Sequence, residues 1–143
     1  MSTETNKQIV RSFIERVYAQ LDPQAVDELV DDNFESHSFP SEGDGKAYLR
    51  DSTQRMAKAL DQISFKIDDL IAEDDRVVAR VTASARQIGE FMGMPASNRS
   101  YEIGEIHIFR LRDGLIVEHW HEFDAMGMMK QLKGEDGGAG GES

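Results

Sequence analysis

The sequence contains no cysteine, which excludes disulfides, thiolate nucleophiles and cysteine-ligated metal centres. It is poor in bases: 16 Lys and Arg stand against 27 Asp and Glu, a formal net charge of -11. Nucleic-acid backbones are held by clustered Lys and Arg, and no basic patch occurs, so no nucleic-acid partner is expected. The acidity serves solubility instead. No apolar run approaches the roughly 18 to 20 residues that span a bilayer. The opening MSTETNKQ leads into an amphipathic pattern without a signal peptide's apolar core, so the expected address is the cytoplasm, with no membrane partner. At 143 residues the chain suits one domain with a substantial core.

Helical signals come first. Thr5 and Gln8 fit a capping box, and Ile9, Val10, Phe13, Ile14, Val17, Tyr18 and Leu21 recur at helical spacing. Asp22-Pro23 ends that helix and starts another, Asp as N-cap and Pro at the first position. Val26, Leu29 and Val30 mark the second helix, and its Asp27, Glu28, Asp31 and Asp32 read as a solvated face. Phe34 to Gly45 is rich in turn formers yet carries Phe34, His37 and Phe39, which suggests a loop folded back over something. A third helix is expected from about Asp44 to Leu60, with Tyr48, Leu49, Ser52, Met56 and Leu60 inward.

After Asp61 the period changes to 2. Ile63, Phe65 and Ile67 alternate with polar residues, and VVARVTASA follows an acidic turn. Residues 89–100 form a Gly/Pro-punctuated excursion carrying Phe91, Met92 and Met94. The informative stretch runs from Tyr101 to Asp124, where Asp113-Gly114 signals a type I′ hairpin turn. Straight counting from that turn pairs Ile108 with His119 and Ile106 with His121. Ile106, Ile108, Val117, His119, His121 and Phe123 then share an inward face, and Glu105, His107, Phe109, Leu111, Ile116, Glu118, Trp120 and Glu122 the outward one. Ala125 to Leu132 reads as a short Met-rich helix. Residues 1–133 are expected to form the single domain, and the Gly-rich acidic residues 134–143 a disordered tail. Helices followed by about four antiparallel strands imply an α+β fold with a sheet wrapped around the helices and a pocket at one end.

The order of elements resembles the nuclear transport factor 2-like superfamily, whose curved, mixed sheet and three helices make a cone. Gly89, Phe91-Met92-Gly93-Met94-Pro95, Ile106 to Arg110, Asp113-Gly114, Ile116 to Trp120, Asp124, Gly127 and Gln131-Leu132 resemble its SnoaL-like polyketide cyclase and predicted ester cyclase group. The resemblance covers about residues 7–133. It implies a dimeric domain without cofactor or metal that binds a small hydrophobic molecule and closes a ring by an aldol step, a side chain moving the protons. The group's acid/base position, directly after the Trp, is often Asp and here is His121. His37 stands where the group often has a His after its second helix.

Imidazole titrates near neutrality, and a buried one stays neutral and available as a base. His121 is therefore the expected base. His119 or Asp124 would orient it, and His37 would polarise a carbonyl. Each has a plainer reading: His119 and His121 as hydrogen-bonded wall residues, Asp124 as a helix cap, His37 as a surface residue. Tyr18, Phe34, Phe39, Met56, Phe91, Met92, Ile106 and Ile108 are candidates to line the pocket. The His-x-His pair, even with His37 and Asp124, matches no recognised metal spacing, so no metal is expected. The outward hairpin face with Trp120 is the expected dimer surface. The functional expectation is proton transfer on a carbonyl compound, by aldol cyclisation or isomerisation, and the alternative is a non-catalytic ligand-binding or dimerisation module.

Overall fold

The computed structural model describes residues 2–38 and 43–135. Helix α1 (Thr3–Phe13) continues into a wider turn over Ile14–Ala19 and is followed by α2 (Pro23–Leu29), strand β1 (Val30–Ser36) and α3 (Gly45–Ala59). Strands β2 (Leu60–Glu73), β3 (Arg76–Gln87), β4 (Ser100–Arg112) and β5 (Leu115–Phe123) come next, and α4 (Ala125–Leu132) closes the order. The sheet order is β1-β5-β4-β3-β2. All neighbours run antiparallel except β1, which lies parallel to β5. The α+β mixed sheet is as expected, but β1 lies where helix end and loop were expected. Its Asp31, Asp32 and Asn33 disguise an edge strand in which Val30, Phe34 and Ser36 are buried.

Caps set the helix ends. Asp22 caps α2 through its carboxylate, as the sequence predicts, and Asp44, near which the third helix is expected to begin, caps α3 in the same way. The first helix starts earlier than expected, because Ser2, not Thr5, is its cap: Ser2 Oγ accepts from the Thr5 amide at 3.0 Å. The wider turn carries five-residue hydrogen bonds, such as Gln20 N to Glu15 O at 3.1 Å. Such turns recur at functional sites, and this one carries Tyr18 against the edge of Phe13. The first residues expected in the tail, Gly134 and Glu135, close off the end of α4. Gly134 adopts φ +77 and the Glu135 amide donates to Lys130 O at 2.8 Å, a helix-terminating pattern. The remaining tail residues, 136–143, and Phe39 lie outside the described residues.

The helices pack on one face of the sheet, and the core divides into two apolar clusters. One joins Val10, Phe13, Ile14 and Val17 to Val77, Ala79, Phe109 and Ile116. The other joins Ala59, Leu60, Ala83, Ala85, Tyr101 and Ile103 to Met128 and Leu132. Phe65 packs against both.

The hairpin register departs from the straight count. Asp113 and Gly114 take the positive φ values of a type I′ turn, 52 and 82, and Arg112 pairs with Leu115 as expected. Leu111 then pairs with Ile116 but Arg110 with Glu118, so Val117 is an extra residue, a β-bulge. Below it His119 faces Phe109 and His121 faces His107. A one-residue offset turns a whole strand over. Glu105, His107, Phe109 and Leu111 therefore point inward, while Ile106 (47% exposed) and Ile108 lie on the outer face. Ile116 and Val117, at the bulge, are both buried.

Candidate active site

Between the two apolar clusters the inner face of β4 and β5 carries a row of polar side chains: Glu105, His107, His119 and His121. They are close-packed. The rings of His107 and His121 stack with centroids 4.1 Å apart and 12° between planes, and His119 stacks on Phe109 at 4.8 Å. Tyr18 reaches in from the helical side, 5.3 Å from the His107 ring and 5.5 Å from Phe65. His107 and His119 are each 1% exposed, whereas the His121 side chain keeps 15% of its surface in solvent. His121 is thus the ring at the accessible edge.

One carboxylate oxygen organises the row. Glu105 Oε1 lies 2.9 Å from His107 Nε2 and 3.2 Å from His121 Nε2. His107 Nδ1 lies 2.9 Å from His119 Nε2, and Tyr18 Oη lies 3.4 Å beyond. A carboxylate only accepts, so both Nε2 atoms facing it carry the proton. Neutral His107 then accepts at Nδ1 from His119 Nε2–H.

Burial and charge act in opposite directions. Burial pushes the Glu105 carboxyl up, but the hydrogen bonds from His107 and His121 outweigh it and hold the carboxyl at about 2, so it is ionised at neutral pH. Burial lowers His107 against the pull of Glu105, and lowers His119 well below the usual imidazole range. Both are neutral. Burial also pushes the Tyr18 phenol upward, with Glu105 adding to the shift.

The structure gathers some of the expected residues and disperses others. His119, His121 and Tyr18 meet in the row. Glu105 and His107, expected on the outer face, join them because of the bulge, and Ile106 and Ile108 leave the wall for the same reason. Asp124 caps α4, accepting from the Gly127 amide at 2.9 Å. His37 sits on the outer side of β5, stacked on Trp120 at 4.8 Å and bonded to Glu118 at 2.9 Å, so it cannot polarise a carbonyl at the inner row. Phe34 belongs to the first apolar cluster, and Met56 and Phe91 pack against the second. Met92 is exposed.

Two groups among the described residues have donor atoms close enough to share a metal ion: Glu105, His107 and His121 inside, and Glu35, His37 and Glu118 outside. In the second, Glu118 is also paired with Arg110. Two surface depressions, of about 470 and 320 Å³, lie away from the row. Phe34 and Gly45 line one, Asn6 and Asp75 the other, and no histidine lines either. The polar row marks the candidate site more directly than concavity does, because buried titratable groups with specific partners are concentrated at functional sites.

The model of the SnoaL-like polyketide cyclase family matches residues 8–132, and the chain belongs to that family. The structure is similar to that of TsrD from Streptomyces laurentii, with a TM-score of 0.85 and 33% identity over 92% of this chain and 97% of that one. It is also similar to a SnoaL-like polyketide cyclase from Agrobacterium tumefaciens, with a TM-score of 0.74 and 22% identity over 92% and 99% of the two chains, which shows the shared nuclear transport factor 2-like fold. The aklanonic acid methyl ester cyclase DnrD of Streptomyces peucetius is 36% identical over 56 residues. That match spans 39% of this chain and 39% of DnrD.

Proposed function

We propose that the protein catalyses proton transfer on a small, enolisable carbonyl compound, leading to intramolecular aldol ring closure, with His121 as the base. The observation that supports this most directly is the contact between His121 Nε2 and ionised Glu105 at the solvent-reaching edge of the row. The carboxylate fixes the Nε2–H tautomer of the neutral ring, which leaves the Nδ1 lone pair for the substrate. It also stabilises the imidazolium that forms once a proton is taken, the role carboxylates play behind catalytic histidines. Nδ1 removes the α-proton to give an enolate, the enolate carbon attacks a second carbonyl of the same molecule, and the resulting alkoxide recovers the proton. The family membership and the ester cyclase among the relatives support a β-keto ester or diketone as substrate. Where relatives often have an aspartate after the Trp, this chain has His121, with a carboxylate supplied by the neighbouring strand.

The test is α-proton exchange into deuterated water on a panel of β-keto esters and diketones. Wild type is expected to exchange faster than buffer, with His121→Asn losing about 10²-fold or more, the scale of general base catalysis, and Glu105→Gln losing less. An unchanged rate in folded His121→Asn would overturn the assignment. Exchange no faster than buffer on every compound would favour the non-catalytic ligand-binding module.

A further inference from the structure

We propose that Glu105, His107 and His121 also form a binding site for one divalent transition-metal ion of the zinc class, an occupancy that excludes their use in proton transfer. The donor atoms lie within 4.8 Å of one another. Two ligands bound about 2.1 Å from a common ion are held roughly 3.0 to 3.5 Å apart at tetrahedral or octahedral angles, and the two Nε2–Oε1 separations are 2.9 and 3.2 Å. The carboxylate is a hard donor, but the two imidazoles are borderline ones and suit the set to zinc, cobalt, nickel or iron rather than to magnesium or calcium.

His119 supplies the supporting contact. A metal-bound imidazole usually donates its second N–H to an acceptor that fixes its orientation. Coordination through His107 Nε2 moves the ring proton to Nδ1, and His119 Nε2 is 2.9 Å away, an acceptor in its other tautomer. The buried pair therefore has two self-consistent arrangements. In one His119 donates to His107 and His107 to Glu105; in the other His107 donates to His119 and the freed lone pair binds the ion. Backbone placement favours convergence, with Glu105 and His107 on the same face of β4 and His121 opposite His107 on β5. The rings stack 12° from parallel, so both must turn about their Cβ–Cγ bonds to aim at one ion. That torsion is broad, and His121 has solvent beside it. Losing the stack limits affinity to the range of an inhibitory site rather than a permanent structural one.

The test titrates tag-free, chelator-treated protein with Zn²⁺ by calorimetry and with Co²⁺ by visible absorption, without substrate. Wild type is expected to take up one equivalent, raise its melting temperature and show the absorption of coordinated Co²⁺. His121→Asn and Glu105→Gln should each weaken binding at least tenfold, while His37→Asn, in the outer cluster, leaves it unchanged. Variants are first checked for folding by circular dichroism, so the second inner variant serves if one fails to fold. No stoichiometric uptake by wild type overturns the proposal. So does uptake that survives both inner variants or disappears with His37→Asn. The inhibitory consequence rests on the proton-transfer reading, but the binding does not. Uptake without any exchange activity would leave the metal site standing and remove the base, and exchange without uptake would do the reverse.

Discussion

Replacing Glu105 by Gln tests the centre of the row, because it removes the charge while keeping the shape. The carboxyl stands at about 2 in the folded protein against an ordinary 4.5. A depressed native value means the folded state binds that proton less tightly than the unfolded chain does. The stabilisation is complete above pH about 4.5 and is lost as pH falls towards about 2. The difference corresponds to roughly 3 kcal/mol, of which roughly 2 kcal/mol is gone by pH 3. Glu105 is nearly buried, so solvent screening removes little of it. Both proteins also lose stability below pH about 6.5, where unfolded imidazoles take up protons that burial denies His107 and His119; the part of that loss independent of Glu105 cancels between the two, and the variant, without the pull of Glu105 on His107, loses the more of the remainder. Urea unfolding, followed by the fluorescence of the single tryptophan, Trp120, supplies the measurement. The stability gap between wild type and Glu105→Gln is expected to shrink by up to roughly 2 kcal/mol from pH 6 to pH 3. A gap that stays the same at both pH values would refute an ionised, doubly hydrogen-bonded Glu105.

Two further substitutions probe the surroundings. Asp124→Ala should cost about 1 kcal/mol in thermal or urea unfolding through loss of the α4 cap, with proton exchange unaffected; a loss of exchange without a loss of stability would return Asp124 to the chemistry. Gly45→Ala should destabilise by about 1 to 3 kcal/mol, because a Cβ there would stand 2.6 Å from the Phe34 carbonyl oxygen. An unchanged melting temperature would show that α3 can retreat from β1 at no cost.

Much of the architecture could be read from local chemistry. Asp22-Pro23, Asp44 and Asp113-Gly114 mark boundaries that the structure keeps, because a cap or a positive-φ turn is decided by a few adjacent residues. The parallel strand β1 was hidden, since its pairing with β5 is non-local and its exposed positions carry acids typical of a helix surface. Half of the polar row was hidden by Val117. Counting from the turn assumes an unbroken ladder, and one extra residue transfers Glu105 and His107 from outside to inside. The clue available was composition: Tyr101, Ile103, Phe109 and Leu111 share the parity of Glu105 and His107, a more core-like set than Ile106 and Ile108 with Arg110 and Arg112. His37 misled for a different reason, since its place in the chain gives no sign of which side of β5 it reaches.

Val117 also limits how the hairpin can change in length. Deleting it would leave Arg110 beside Glu118 and every pairing below intact, at the cost of one buried side chain. Adding or removing a single residue elsewhere within either strand between Glu105 and His121, outside the Asp113-Gly114 turn, would turn that strand's contribution outward and separate the carboxylate from at least one imidazole. Length variation within the paired strands is therefore tolerated at one position and destructive of the chemistry at its neighbours.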